Sequence, residues 1–234
     1  MKNSISINHR NLLNSRGFIF IQKSKITNIE EFIKLGSSLG KPRKINYLKH
    51  HKKYEFINIL KRKKKEKRKN FFGDVWHSDH AFEINPPRYT ALFCKKISLK
   101  GNLTYFINRN DLFKKLSKKN QNFIKKNFFK IDAPLNFKKN ATQKYNKKIK
   151  QFIKGASKNK FGYKVDISPY HNNFLDNRHG PKLKEIFKLY KTQHKVKWQK
   201  NMVLIWNNDI VFHKASKVNE DRLMYRMIID GKKK

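Results

Sequence analysis

In "VWHSDHAF", residues 75–82, His77 and Asp79 stand two apart between Trp76 and Phe82. A neutral imidazole and a carboxylate are both ligands for a divalent metal. In extended backbone, residues two apart point to the same side, so the pair could grip one ion. With nine histidines and 16 acids in the chain, such a spacing arises by chance nearly as often as not. A third ligand must come from elsewhere, and His213 is the best candidate. It lies in "DIVFHKA" (209–215), an apolar strand-like run in which an imidazole without a partner would be costly. The competing reading of His213 is a core histidine satisfied by hydrogen bonds. His50, His51, His80, His171, His179 and His194 lie in polar or loop-like surroundings and read as surface residues.

A second set of groups sharpens the choice. In "RLMYR", Arg222 and Arg226 are four apart in an apolar strand and project to the same face. Buried guanidinium requires a partner, and carboxylate is its bidentate match. An anionic cosubstrate beside a metal would supply it, as would an internal ion pair with one of the few acids.

The elements that must position these groups follow from pattern. "GFIFIQ" (17–22) reads as a strand, and "TNIEEFIKLGSSLGKP" (27–42) as a helix with Thr27 and Glu30 as a capping box and Gly40 and Pro42 as its stop. "YEFINIL" (54–60), "PPRYTALFCKKI" (86–97) and "GNLTYFIN" (101–108) read as strands. "DLFKKLSKKNQNFIKKNFF" (111–129) reads as one helix, and "PKLKEIFKLY" (181–190) as an amphipathic helix with Pro181 at its start. The lysine- and asparagine-rich stretch from about 130 to 180 has no pattern that orders it. "NMVLIW", "DIVFHKA" and "RLMYRMIID" read as strands buried on both faces.

Length and composition bound the rest. A chain of 234 residues, with 38% hydrophobic and 13% aromatic residues, can build one sizeable core despite a mean hydropathy of −0.85. The formal charge of +41 invites a polyanion partner, but the lysines are spread over nearly the whole chain rather than gathered in a stripe. That spread argues against a nucleic-acid partner; only "KRKKKEKRKN" (61–70) is locally dense, and it reads as a solvated loop. The single cysteine, Cys94, excludes an internal disulfide, and no apolar run approaches a membrane span. A soluble cytoplasmic protein without a membrane partner is expected.

The order "WHSD…PP…GNLTYF…LIWNNDIVFH…RLMYR" resembles the iron(II)/2-oxoglutarate-dependent dioxygenases of the taurine dioxygenase (TauD/TfdA) family. The resemblance covers most of the chain, as one domain over 1–234 with a helical, poorly matched insert at about 109–200. It implies a mainly β fold with flanking helices around a double-stranded β-helix, a jelly-roll-like core. It also implies that His77, Asp79 and His213 bind Fe(2+) and are the catalytic residues. Thr104 and Arg222 would then bind 2-oxoglutarate, with Arg226 beside them facing cosubstrate or substrate. The implied reaction consumes O2 and 2-oxoglutarate, releases succinate and CO2, and hydroxylates an unactivated C–H bond of a small organic molecule or natural-product intermediate. Related halogenases replace the carboxylate with a small residue, so Asp79 favours hydroxylation. A carrier-protein-tethered substrate would suit the basic surface, and family members are often homo-oligomers. Where the family has Gly-Asp before the distal-histidine strands this chain has Asn201-Met202, and Trp-Asp-Asn-Arg becomes Trp206-Asn207-Asn208-Asp209. Asn201 tolerates a left-handed turn. The rival from another class is a basic nucleic-acid-binding or catalytically degenerate protein on the same fold.

Overall fold

Val203 to Asn207 alternate between two cores: Val203 and Ile205 pack outward, while Leu204 and Trp206 pack inward. This strand is therefore buried on both faces, which is why it reads as a continuous apolar run rather than an alternating one. The computed structural model describes residues 5–22, 26–62, 73–97, 102–133, 150–171, 179–216 and 221–231.

The chain order is α1 (Ile7–Ser15), β1 (Phe18–Ile21), α2 (Ile29–Ser37), β2 (Gly40–Arg43), β3 (Ile57–Arg62), β4 (Tyr89–Lys96) and β5 (Leu103–Asn108). Then come α3 (Arg109–Lys115), α4 (Lys118–Lys126), β6 (Phe128–Lys130), β7 (Phe152–Lys154), β8 (Ala156–Asn159) and β9 (Gly162–Val165). The chain closes with α5 (Gly180–Phe187), β10 (His194–Lys197), β11 (Val203–Asn207), β12 (Val211–Ala215) and β13 (Arg222–Gly231).

The larger sheet has the order β1-β11-β4-β13-β2, with β3 continuing beside the first half of β13, and the smaller has the order β10-β5-β12. All of these pairings are antiparallel. Phe18, Cys94, Phe106, Trp198, Leu204, Trp206 and Met224 fill the space between the two sheets. On the outer face of the larger sheet, Phe32 and Leu35 of α2 pack on Phe93, Ile205, Met227 and Ile229. Each of these large side chains gains roughly 1.5–3 kcal/mol from full burial. On the outer face of the smaller sheet, Ile107 and Phe212 join a core with α3, α4, α5 and β9. The fold is mainly β with a jelly-roll core and flanking helices.

The local expectations are corrected in four places. The cap of α2 is Asn28, not Thr27: its side chain accepts from the Glu31 N–H, and the Glu31 carboxylate accepts in turn from the Thr27 N–H. Gly40 and Pro42 do not stop that helix but lie in β2, where a Cβ on Gly40 would meet the Asp230 carbonyl oxygen at 1.8 Å. The run at 111–129 is two helices and a strand, because Ser117 caps a new helix where α3 ends at Leu116. The stretch from 130 to 180 holds the short pairs β6-β7 and β8-β9, although residues 134–149 and 172–178 lie outside the described residues. Most of the basic run 61–70 also lies outside them. Asn201 has φ of +62°, the left-handed turn its residue type allows.

Candidate metal centre

His77 and His213 are joined before any ion is considered. Their backbones form an antiparallel bridge, with His77 N–H donating to the His213 carbonyl at 3.1 Å and His213 N–H to that of His77 at 2.8 Å. The bridge lays the "WHSD" segment along β12 and brings the two imidazoles together, with ring centroids 4.2 Å apart and planes inclined by 48°. Asp79, two residues on, falls on the same side. His77 Nε2 lies 3.8 Å from Asp79 Oδ1, and His213 Nε2 lies 3.7 Å from Oδ2. The three ligand atoms all lie within 4.8 Å of one another, and all three residues are buried.

Protonation states suit a cation. Burial pushes the His77 imidazole below its ordinary range, and burial together with His77 pushes His213 well below it, so both rings are neutral donors at pH 7. His77 Nδ1 donates to the Val75 carbonyl at 2.7 Å, which leaves the Nε2 lone pair facing the site. Burial opposes ionisation of Asp79, but the Arg226 guanidinium together with the surrounding His213, His77 and His80 outweighs it and holds the carboxyl well below the usual range. Two neutral nitrogens and a carboxylate in one cluster are the donor set of a non-haem iron(II) site.

The carboxylate is held from two directions. Arg226 Nη2 donates to Asp79 Oδ1 at 2.8 Å, and the Thr90 hydroxyl donates to Oδ2 at 2.8 Å. A carboxylate offers about four acceptor positions, so each oxygen keeps one free for a metal. Asn208 ties this arrangement together. Its amide donates to Thr90 Oγ1 and to the Pro87 carbonyl, while its oxygen accepts from the Asp79 N–H and from Trp206 Nε1. Ser78 faces the other way and donates to the Asn208 carbonyl at 2.8 Å. His80, next in the chain, has φ of +55°, a backbone state rare outside glycine.

A family model described as "Taurine catabolism dioxygenase TauD, TfdA family" matches residues 8–228. The chain belongs to the TauD/TfdA family. Its enzymes are 2-oxoglutarate-dependent dioxygenases that use Fe(II), 2-oxoglutarate and O2, and these are the cofactor and cosubstrates of this chain. Among solved structures, it is similar to a taurine dioxygenase from Burkholderia xenovorans, with 16% identity and a TM-score of 0.75 over 96% of this chain and 80% of that one. It is also similar to AAD-2 in complex with Mn(II) and N-oxalylglycine, with 13% identity and a TM-score of 0.73 over 99% of this chain and 92% of that one. No curated protein matches at the sequence level. At these identities the structural likeness speaks to the fold.

The remaining TauD/TfdA-type positions fall as follows. Arg222, Met224 and Arg226 alternate onto the inner face of β13, where Met224 packs with Cys94 and Leu204. Arg226 is 3% exposed; its partner is Asp79, and its Nη1 is buried without a hydrogen bond. Thr104 is buried on β5, and its hydroxyl oxygen accepts from Trp198 Nε1 at 2.9 Å. His80 and His171 are corrections, since both are buried rather than on the surface. His80 pairs with Glu83 at 2.8 Å. His171 lies between the carbonyls of Asp132 and Ser78, with burial pushing its imidazole down to about 4. Thr90 and Asn208 carried no chemical motif of their own; the available signal was a polar residue inside each of two apolar runs, "RYTALF" and "LIWNND". Among the described residues, no helix is long and apolar enough to cross a membrane.

Proposed function

We propose that this TauD/TfdA-family chain hydroxylates an unactivated C–H bond of a small organic substrate, releasing succinate and CO2 from 2-oxoglutarate. His77, Asp79 and His213 hold the iron. The observation that carries this reading is the buried cluster of two neutral imidazole nitrogens and one ionised carboxylate. When bound, Fe(II) and 2-oxoglutarate supply the oxygen-activating chemistry. The chain's own residues hold, orient and exclude water.

Trp198 occupies an acceptor position of the Thr104 hydroxyl and so leaves the Thr104 O–H to donate. A carboxylate of 2-oxoglutarate is the matching acceptor, and Arg222 on the inner face of β13 is its cationic partner. Arg226 keeps Asp79 in one orientation through Nη2, while buried Nη1 is a donor left for an anionic group of cosubstrate or substrate. The Tyr170 ring centroid is 5.1 Å from that of His77, and the Tyr47 ring lies beside His80 with centroids 5.9 Å apart. A substrate carried by an acidic protein would suit the charge of +41.

Anaerobic addition of Fe(II) and 2-oxoglutarate is expected to produce the weak visible charge-transfer band of the chelate, and His77→Ala is expected to abolish it. With O2 and a substrate panel, succinate release should accompany a product heavier by one oxygen atom. No band and no succinate, together with tight salt-dependent binding to nucleic acid, would replace this reading with the nucleic-acid-binding one.

A further inference from the structure

A cavity of about 670 Å³ opens beside the metal centre but outside it. Ser78 and Asn208 form part of its wall, whereas His77, Asp79 and His213 do not. The local chain path explains this: His77 and Asp79 face the candidate ion, and Ser78 between them faces the cavity. The volume is that of a small-molecule site.

Its charges are unbalanced in a specific way. Arg109 donates to Asp166, to the Val165 carbonyl and to the Asn208 carbonyl. Lys164 lies 2.7 Å from Asp166 and 3.1 Å from Asp209. Both carboxylates of the cavity are therefore committed to two buried cations. Arg88, Lys150, Lys154 and Lys160 also line it and make no ion pair among the described residues. Lysine is so frequent in this chain that the number of cations carries no weight. Enclosure does, because Lys150 is half-buried beside Arg109 and Lys164, and its principal counter-charge, Asp166, is already paired with both. Burial pushes the Lys150 ammonium below its ordinary range against the opposing pull of Asp166, with Lys164 and Arg109 adding to the effect, so an incoming anion would relieve that cost. Pro87, Ile153 and Ile210 supply apolar wall for the body of a ligand.

We propose that this cavity is a second ligand site, which binds a phosphorylated small molecule with its phosphoryl group at Lys150, Lys154 and Lys160 and its body against Pro87, Ile153 and Ile210. A phosphoryl dianion, whose oxygens can accept from several separate ammonium groups, suits a lysine-lined wall better than a planar carboxylate, which suits one guanidinium fork.

The probes are inorganic phosphate and pyrophosphate, titrated calorimetrically into the full-length, metal-free protein at constant ionic strength in chloride. One saturable site is expected. Lys150→Gln combined with Lys154→Gln should weaken it at least tenfold, with Lys195→Gln, on the exposed edge strand β10, as a control that leaves it unchanged. Arg226→Gln separates this cavity from the metal centre. Loss of phosphate binding in Arg226→Gln but not in the lysine variant would place the anion in the metal centre and overturn the proposal. Equal weakening by every lysine variant, or no saturable binding, would overturn it as well. Thermal unfolding of each variant establishes that it is folded. None of these readouts needs iron, so failure here leaves the dioxygenase reading standing, and failure of that reading leaves this one standing.

Discussion

Asp79 shows how much of a metal site lies outside its ligands. One of its oxygens accepts from Arg226 and the other from Thr90, and Asn208 fixes both Thr90 and the Asp79 backbone. Thr90→Val removes one hydroxyl from a side chain that is fully buried, with almost no change in shape. Asp79 Oδ2 then loses its donor, and the carboxylate can turn away from the two imidazoles. Outer hydrogen-bond partners of metal ligands are worth about 10–100-fold in metal affinity. Thr90→Val is therefore expected to weaken Mn(II) binding by about that factor, read by titration without turnover, while Thr90→Ser largely restores it. Unchanged affinity in Thr90→Val would mean that Arg226 alone sets the carboxylate.

At the scale of elements, the site depends on how the segment at 130–171 is tied to the "WHSD" turn. His171 makes that tie: it sits between the Asp132 carbonyl, 3.0 Å from Nδ1, and the Ser78 carbonyl, 3.2 Å from Nε2, and the single N–H of the neutral ring donates to one of them. Its folded pKa of about 4 is below the ordinary 6.5, chiefly through burial. The unfolded chain thus binds the proton first as pH falls. Stability from this group is full above about pH 6.5 and is lost progressively down to about pH 4, by at most about 3 kcal/mol. His77 and His213 act in the same direction. Urea midpoints of metal-free protein should fall from pH 7 to pH 4, and less steeply in His171→Asn; identical slopes would remove His171 from the account. None of this tie was legible in the sequence. The strands carrying His213, Thr104 and the two arginines were, because apolar runs and their alternation are local properties. By contrast, the helix break at Ser117 depends on a cap overriding a helical pattern, and the burial of His80 and His171 depends on what a distant segment lays over them. The pairing of Arg226 with Asp79 was also out of reach, since it joins residues 147 apart.

For the whole molecule, 16 acids cannot neutralise 57 bases, however they are arranged. Several of those acids are also committed inside the fold, Asp79 to Arg226 and Asp166 to Arg109 and Lys164. The remaining surface is therefore strongly self-repelling, and compactness brings those charges closer than the unfolded chain does. The Debye length falls from about 30 Å at 0.01 M salt to about 8 Å at 0.15 M. Screening over that range acts on the folded state more than on the expanded one. Stability should consequently rise with chloride, with Tm several degrees higher at 0.15 M KCl than at 0.01 M, as followed by circular dichroism. A protein held together chiefly by surface ion pairs would lose stability over the same interval. A flat or falling Tm would show instead that the lysines are spaced widely enough for their repulsion to be negligible, and that the charge of +41 imposes no cost on the jelly roll.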